Sequence, residues 1–220
     1  MSNIFVVVEG YTELEFVNSL LGPHLIDNGA NLVKAFPITT NSDLGKKGGG
    51  QSYKHLRKDL LKSVAYNPHK IVTTFIDYYA LPKDFPSFQE CHRLNTVDER
   101  IACLENAMKR DIAPDNPYFL PYIQKHEFEA LLFSSNIGFE TYFAENSELT
   151  RRILQEFHNP EEINDGHDTA PSKRLINLVP EYNKVLFGNL LAIEIGLQTI
   201  LAKCPRFRNW VEALANAVGE

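Results

Sequence analysis

The sequence predicts an α/β fold: a mostly parallel four-stranded sheet flanked by helices, followed by a helical C-terminal extension. Three observations predict it. Short runs of β-forming residues recur at 4–8, 32–38, 70–76 and 118–124. Segments with helical apolar spacing separate them, and such alternation favours a partly parallel sheet with helical crossovers. From about residue 146 to 218 the pattern is mainly helical. The chain therefore divides into an α/β core over 1–135 and a helical extension over 136–220 that packs on it.

The first strand, Ile4 to Val8, is five strongly apolar residues closed by Glu9-Gly10. Thr12 and Glu15 have the spacing of a capping box, which opens a helix through about Leu21, and Gly22-Pro23 stops it. After the second strand comes a glycine-rich loop, NSDLGKKGGGQ, carrying Lys46 and Lys47. The next helix places Leu56, Leu60, Leu61 and Val64 on one face. The third strand runs to Ile76 and ends in Asp77. A loop with Tyr78, Tyr79, Phe85 and Phe88 follows, then a helix over about Val97–Lys109. The fourth strand leads into HEFEALLF, and breaks at Asn159-Pro160, Ala170-Pro171, Pro180 and Pro205 punctuate the helical remainder.

At 220 residues with a formal charge of −6 the chain is an ordinary mildly acidic globular protein. This excludes a generally basic coat for nucleic acid but not a site with local positive charge. Three widely spaced cysteines form neither a zinc pattern nor a disulfide framework, so the expectation is a reducing cytoplasm. No apolar stretch has the length of a membrane span or of a signal peptide's core.

Glu9, Asp77 and the acids of HEFE all fall where predicted strands finish, the edge at which α/β sheets bind ligands. Glu9, directly after three valines, must be exposed, paired or bound to a metal. Glu13 is either a second ligand or a first-turn acid favoured by the helix dipole. Asp77 is either a ligand or the residue that closes its strand in an Asx-type turn. Glu127 and Glu129 share a face if their segment is extended and diverge if it is helical. His126 is more readily a hydrogen-bonding core residue than a ligand. Carboxylates gathered at one edge repel unless a cation sits among them, and Mg2+ or Mn2+ suits oxygen ligands. Such an ion supports phosphodiester cleavage, with Lys173 as a cation that offsets transition-state charge. Lys46, Lys47 and Arg174 are candidates for nucleic-acid binding, or else solvated surface charges. The four aromatics after Asp77 either stack on bases or pack their own loop.

The string VVVEGYTELEF resembles the opening glutamate motif of Toprim domains, the metal-binding fold shared by topoisomerases, primases and overcoming-lysogenization-defect (OLD) nucleases. FIDYYALPKDFP, PYIQKHEFEALLF, APSKRL and CPRFRNWVEAL resemble strings of the Toprim-like family DUF4276, over nearly the whole chain. The resemblance implies a Toprim-like core in which Glu9 stands for the Toprim glutamate. Glu13 would be the second acid of OLD-type nucleases and Asp77 the first aspartate of a DxD motif. Tyr79 stands where the second aspartate would be, so the missing oxygens would have to come from Glu127 and Glu129. The implied function is a metal-dependent nuclease acting on DNA or RNA beside an ABC- or SMC-like ATPase in bacterial anti-phage defence. Two alternatives are a non-catalytic Toprim-like binding or regulatory subunit and a phosphotransferase using the same metals. The sequence leaves self-association open.

Overall fold

A computed structural model describes residues 2–39, 52–66, 70–79, 81–163, 166 and 169–219. Lys46 and Lys47 lie outside the described residues. The sheet has the order β2-β1-β3-β4, from β1 (Asn3–Val8), β2 (Leu32–Pro37), β3 (Ile71–Asp77) and β4 (Phe119–Leu120). All its ladders are parallel. The predicted fourth strand is two short pieces, β4 and β5 (Ile123–Gln124), which pair with successive parts of β3. Pro121 lies between them and has no N–H to give to a ladder. Two buried threonines of β3 bridge that gap: Thr73 Oγ1 donates to Leu120 O, and Thr74 Oγ1 donates to Tyr122 O.

Every residue of β3 is buried, as befits a central strand covered on both faces. One face carries Val7, Val72 and Ile76. It packs on α3 (Tyr53–Tyr66) through Leu56 and Leu60, and on α5 (Val97–Ile112) through Ile101, Leu104 and Met108. Tyr78 and Phe85 are buried in the same cluster, and Phe88 stacks on His92 with ring centres 3.8 Å apart. These three loop aromatics pack the fold. The other face carries Ile4, Val6, Val8, Ile71 and Phe75. It is covered by α1 (Tyr11–Phe16), the π-helical turn Val17–Leu21 and α2 (Gly22–Asp27), together with the C-terminal helices.

Gly22-Pro23 does not end the first helix. The π-turn absorbs it: Gly22 N–H bonds back to Val17 O, five residues away, and Pro23 opens α2 where its missing N–H costs little. A Cβ at Gly22 would lie 2.8 Å from Val17 O, so this tight passage needs glycine. The cap also differs from the expectation. Gly10 is the N-cap, and Glu13, not Glu15, reaches back to its N–H at 3.0 Å. The expected Thr12–Glu15 box fails because the chain is already helical at Tyr11.

The C-terminal region comprises α6 (Ile137–Tyr142), α7 (Ser147–Glu156), α8 (Pro171–Leu178), α9 (Lys184–Ile195), α10 (Leu197–Lys203) and α11 (Pro205–Val218). α11 lies directly on the sheet. Phe207 and Trp210 pack on Phe75, and the Trp210 indole N–H donates to Thr73 Oγ1 at 2.9 Å. Among the described residues no single helix is long and apolar enough to cross a membrane. α9 and α10 reach that length only as a pair bent by 84°.

The cysteines depart from expectation as well. Cys91 and Cys103 form a disulfide across twelve residues, where the sequence suggested no such bond. α4 (Phe88–Cys91) and α5 pack together and bring the two Cα atoms to 5.5 Å, within bonding range, although no spacing motif announces it. The expectation of a reducing compartment thereby loses its premise. Cys204 is free and buried.

Candidate metal centre

The chain leaves β1 for β2 on one side, then crosses back to β3 on the other. In sheets with such a reversal, the crevice beyond the carboxyl ends of the two strands, here β1 and β3, is the usual ligand position. Glu9 follows β1 and Asp77 ends β3, so both stand in this crevice. They are joined: Asp77 N–H donates to Glu9 Oε2 at 3.0 Å. Asp77 Oδ1 in turn accepts from Phe128 N–H at 2.8 Å. This bond draws the HEFE segment to the site.

The segment turns sharply to arrive there. His126 adopts a left-handed backbone (φ 61°), and its carbonyl accepts from Tyr79 N–H. Glu127 is still extended, while Glu129 lies in the first turn of a 3-10 helix, Phe128–Ser134. The two carboxylates therefore have different surroundings. Glu127 accepts from both the N–H and the hydroxyl of Ser172, each at 2.9 Å, and so fastens the start of α8 to the crevice. Glu129 is fully buried, and neither of its oxygens has a hydrogen-bond partner.

A cation that sequence reasoning missed stands among these acids. Lys184 Nζ lies 3.2 Å from Glu129, 3.7 Å from Glu13 and 3.7 Å from Asp77. Gly188 explains how it gets there. A Cβ at that position would come 3.0 Å from Thr12 of α1, so glycine lets α9 settle against α1 with its first residue over the crevice. Tyr182, two residues earlier, directs a buried hydroxyl without a hydrogen-bond partner into the same region, where Glu129, Lys184, Glu13 and Glu127 all act on it electrostatically. The Lys173 side chain is exposed, and among the described residues it pairs with none of the acids. Arg174 is engaged internally, bonding Thr169 O and lying over Phe157 at 5.2 Å.

Burial dominates the electrostatics. It raises the Glu9 carboxyl, as do Glu13 and Glu127, against the Asp77 N–H and Lys184, which lower it. Burial lifts Asp77 well above the carboxylate range, opposed chiefly by Lys184. Glu129 is pushed up to about 7, first by burial, with Lys184 opposing and Glu127 adding repulsion. For Lys184, burial works to lower the ammonium, but Asp77, Glu129, Glu13 and Glu9 outweigh it and the net direction is upward.

A pH dependence follows. Glu129 has an unfolded value near 4.5, so between there and about 7 the folded chain holds a proton that the unfolded chain has lost. Stability from that proton is complete at the acid end of this window and is lost as pH climbs through 7, by at most ~3 kcal/mol. Urea denaturation of metal-free protein is therefore expected to show higher stability at pH 5.5 than at pH 8, with a flatter profile in Glu129→Gln. A wild-type profile rising across the same window would contradict the assignment.

A family model described as a domain of unknown function, DUF4276, matches residues 8–215. The chain belongs to this family. No curated protein matches it. Among solved structures, the C-terminal region of the Burkholderia pseudomallei OLD protein is similar over 98% of both chains, with 14% identity and a TM-score of 0.48. In this DUF4276 chain, no three acidic, histidine or cysteine side chains among the described residues stand ready spaced around an ion. The donor chemistry nonetheless fits a hard cation. The donors are all carboxylate oxygens, two of them buried on Glu129 without hydrogen bonds, and a side-chain cation already rests among them.

Proposed function

We propose that this DUF4276 chain is a divalent-metal-dependent nuclease that hydrolyses phosphodiester bonds. One observation carries the reading. Glu9 and Glu13 meet the distant Asp77 and Glu129 at the strands' carboxyl ends, with a cation beside Glu13, Asp77 and Glu129. Glu9, Asp77 and Glu129 would hold Mg2+ or Mn2+, with Glu13 beside them. Such an ion, when bound, polarises a phosphoryl oxygen and lowers the pKa of an attacking water. Glu127 serves differently, by holding α8 at the rim through Ser172. Glu13, Asp77 and Glu129 are buried, where bulk water screens their charges little.

The resemblance of the sequence motifs to OLD-type nucleases supports the further proposal of an ATPase partner and a role in anti-phage defence. The test is cleavage of DNA and RNA with Mg2+ or Mn2+, with and without that partner. Degradation that EDTA abolishes supports the reading, and none under any of these conditions would overturn it. A non-catalytic, nucleic-acid-binding subunit is the second reading. Two observations favour it: Tyr79 in place of a second aspartate, and Lys184 already balancing the acids. It predicts stable binding of nucleic acid without cleavage in the same assay.

A further inference from the structure

We infer that Lys184 is an exchangeable internal counter-ion. Its ammonium occupies the cation's place while the crevice lacks a metal, and it withdraws when a divalent ion enters. The inference rests on the cation reading of the site but not on cleavage.

Three features of Lys184 point this way. First, its bonding is loose. Nζ lies 3.2–3.7 Å from three carboxylates, beyond the 2.7–2.9 Å of charge-assisted hydrogen bonds, and leaves both Glu129 oxygens without one. The ammonium is held by the summed field of several acids, not by one fixed partner. Second, Lys184 is the first residue of α9, directly after the Asn183 cap. The positive end of a helix disfavours a cation, so the acids alone hold the charge here. Third, the side chain is 42% exposed, so it borders solvent and has a way out. A divalent ion among the same acids would offer them twice the charge. It would repel the ammonium toward solvent. The buried, unpartnered Glu129 oxygens and Tyr182 hydroxyl are groups such an ion and its water could satisfy.

Exchange makes the lysine a competitor of the metal, which sets it apart from a lysine that merely stabilises the fold or assists the reaction. The test is direct Mn2+ binding to the full chain, without nucleic acid, by calorimetry or by the paramagnetic signal of free Mn2+. Lys184→Met is expected to bind Mn2+ at least tenfold more tightly than wild type and to gain more thermal stability from it. Lys184→Arg keeps the charge and should stay close to wild type. If the methionine variant does not fold, Lys184→Gln, which keeps hydrogen-bond donors, answers the same question. Equal or weaker Mn2+ binding after loss of the charge, or no binding by any variant, overturns the exchange. The two proposals fail separately. Cleavage by wild type without an affinity gain in the variants would leave the nuclease reading and remove the exchange. An affinity gain without cleavage would do the opposite.

Discussion

Replacing Glu9 by glutamine is expected to lower metal-dependent cleavage by at least 100-fold while leaving the fold intact. The amide oxygen can still accept the Asp77 N–H that Glu9 Oε2 accepts, so the junction between β1 and β3 survives. What disappears is a negative charge buried beside Glu13, Glu127 and Asp77. Removing it weakens the hold on a divalent ion more than tenfold, because hard cations depend on anionic oxygen. It also relieves repulsion, so the melting temperature should hold or rise. This combination separates a site residue from a structural one. Wild-type cleavage by Glu9→Gln would remove Glu9 from the chemistry, and a loss of activity accompanied by unfolding would leave its role structural.

The largest effect on stability is expected at Trp210. Its ring stacks on Tyr122 with centres 4.3 Å apart and packs on Phe75 and Phe207, and its N–H reaches Thr73 inside the sheet. Truncation to alanine opens a cavity between α11 and the central strand and should cost about 3–5 kcal/mol. For a chain of this size that lowers the melting temperature by roughly 10 °C. Trp210→Phe keeps much of the ring contact and loses the hydrogen bond, for about 1–2 kcal/mol. Denaturant titration measures both. A near-neutral alanine variant would mean that α11 contributes little to the core, contrary to the burial of Phe207, Trp210, Val211 and Leu214.

The sheet was legible because β1 and β3 are short apolar runs that stop abruptly at an acid, and burial on both faces demands such runs. The same stops marked Glu9 and Asp77. Glu127 and Glu129 were legible as acids near the edge, but their division of labour was not. It depends on the left-handed turn at His126, which periodicity does not reveal. Lys184 escaped notice because KVLFGNLLAIEI reads as an apolar helix, and because the contact depends on Gly188 letting α9 approach α1. A lysine at a helix start, against the dipole, was the one available signal. Lys173 drew attention through its neighbours in APSKRL, yet it is Ser172 that contacts an acid. The Cys91–Cys103 bond was equally hidden, since it follows from how α4 meets α5.

The central claim is that carboxylates far apart in sequence form one cation-holding centre. Anomalous diffraction from crystals soaked in Mn2+ tests it most directly. The account predicts a manganese peak bounded by Glu9, Asp77 and Glu129, with the Lys184 ammonium displaced from its place beside Glu13, Asp77 and Glu129. No peak in this crevice at saturating Mn2+, or manganese bound only elsewhere on the chain, would contradict it.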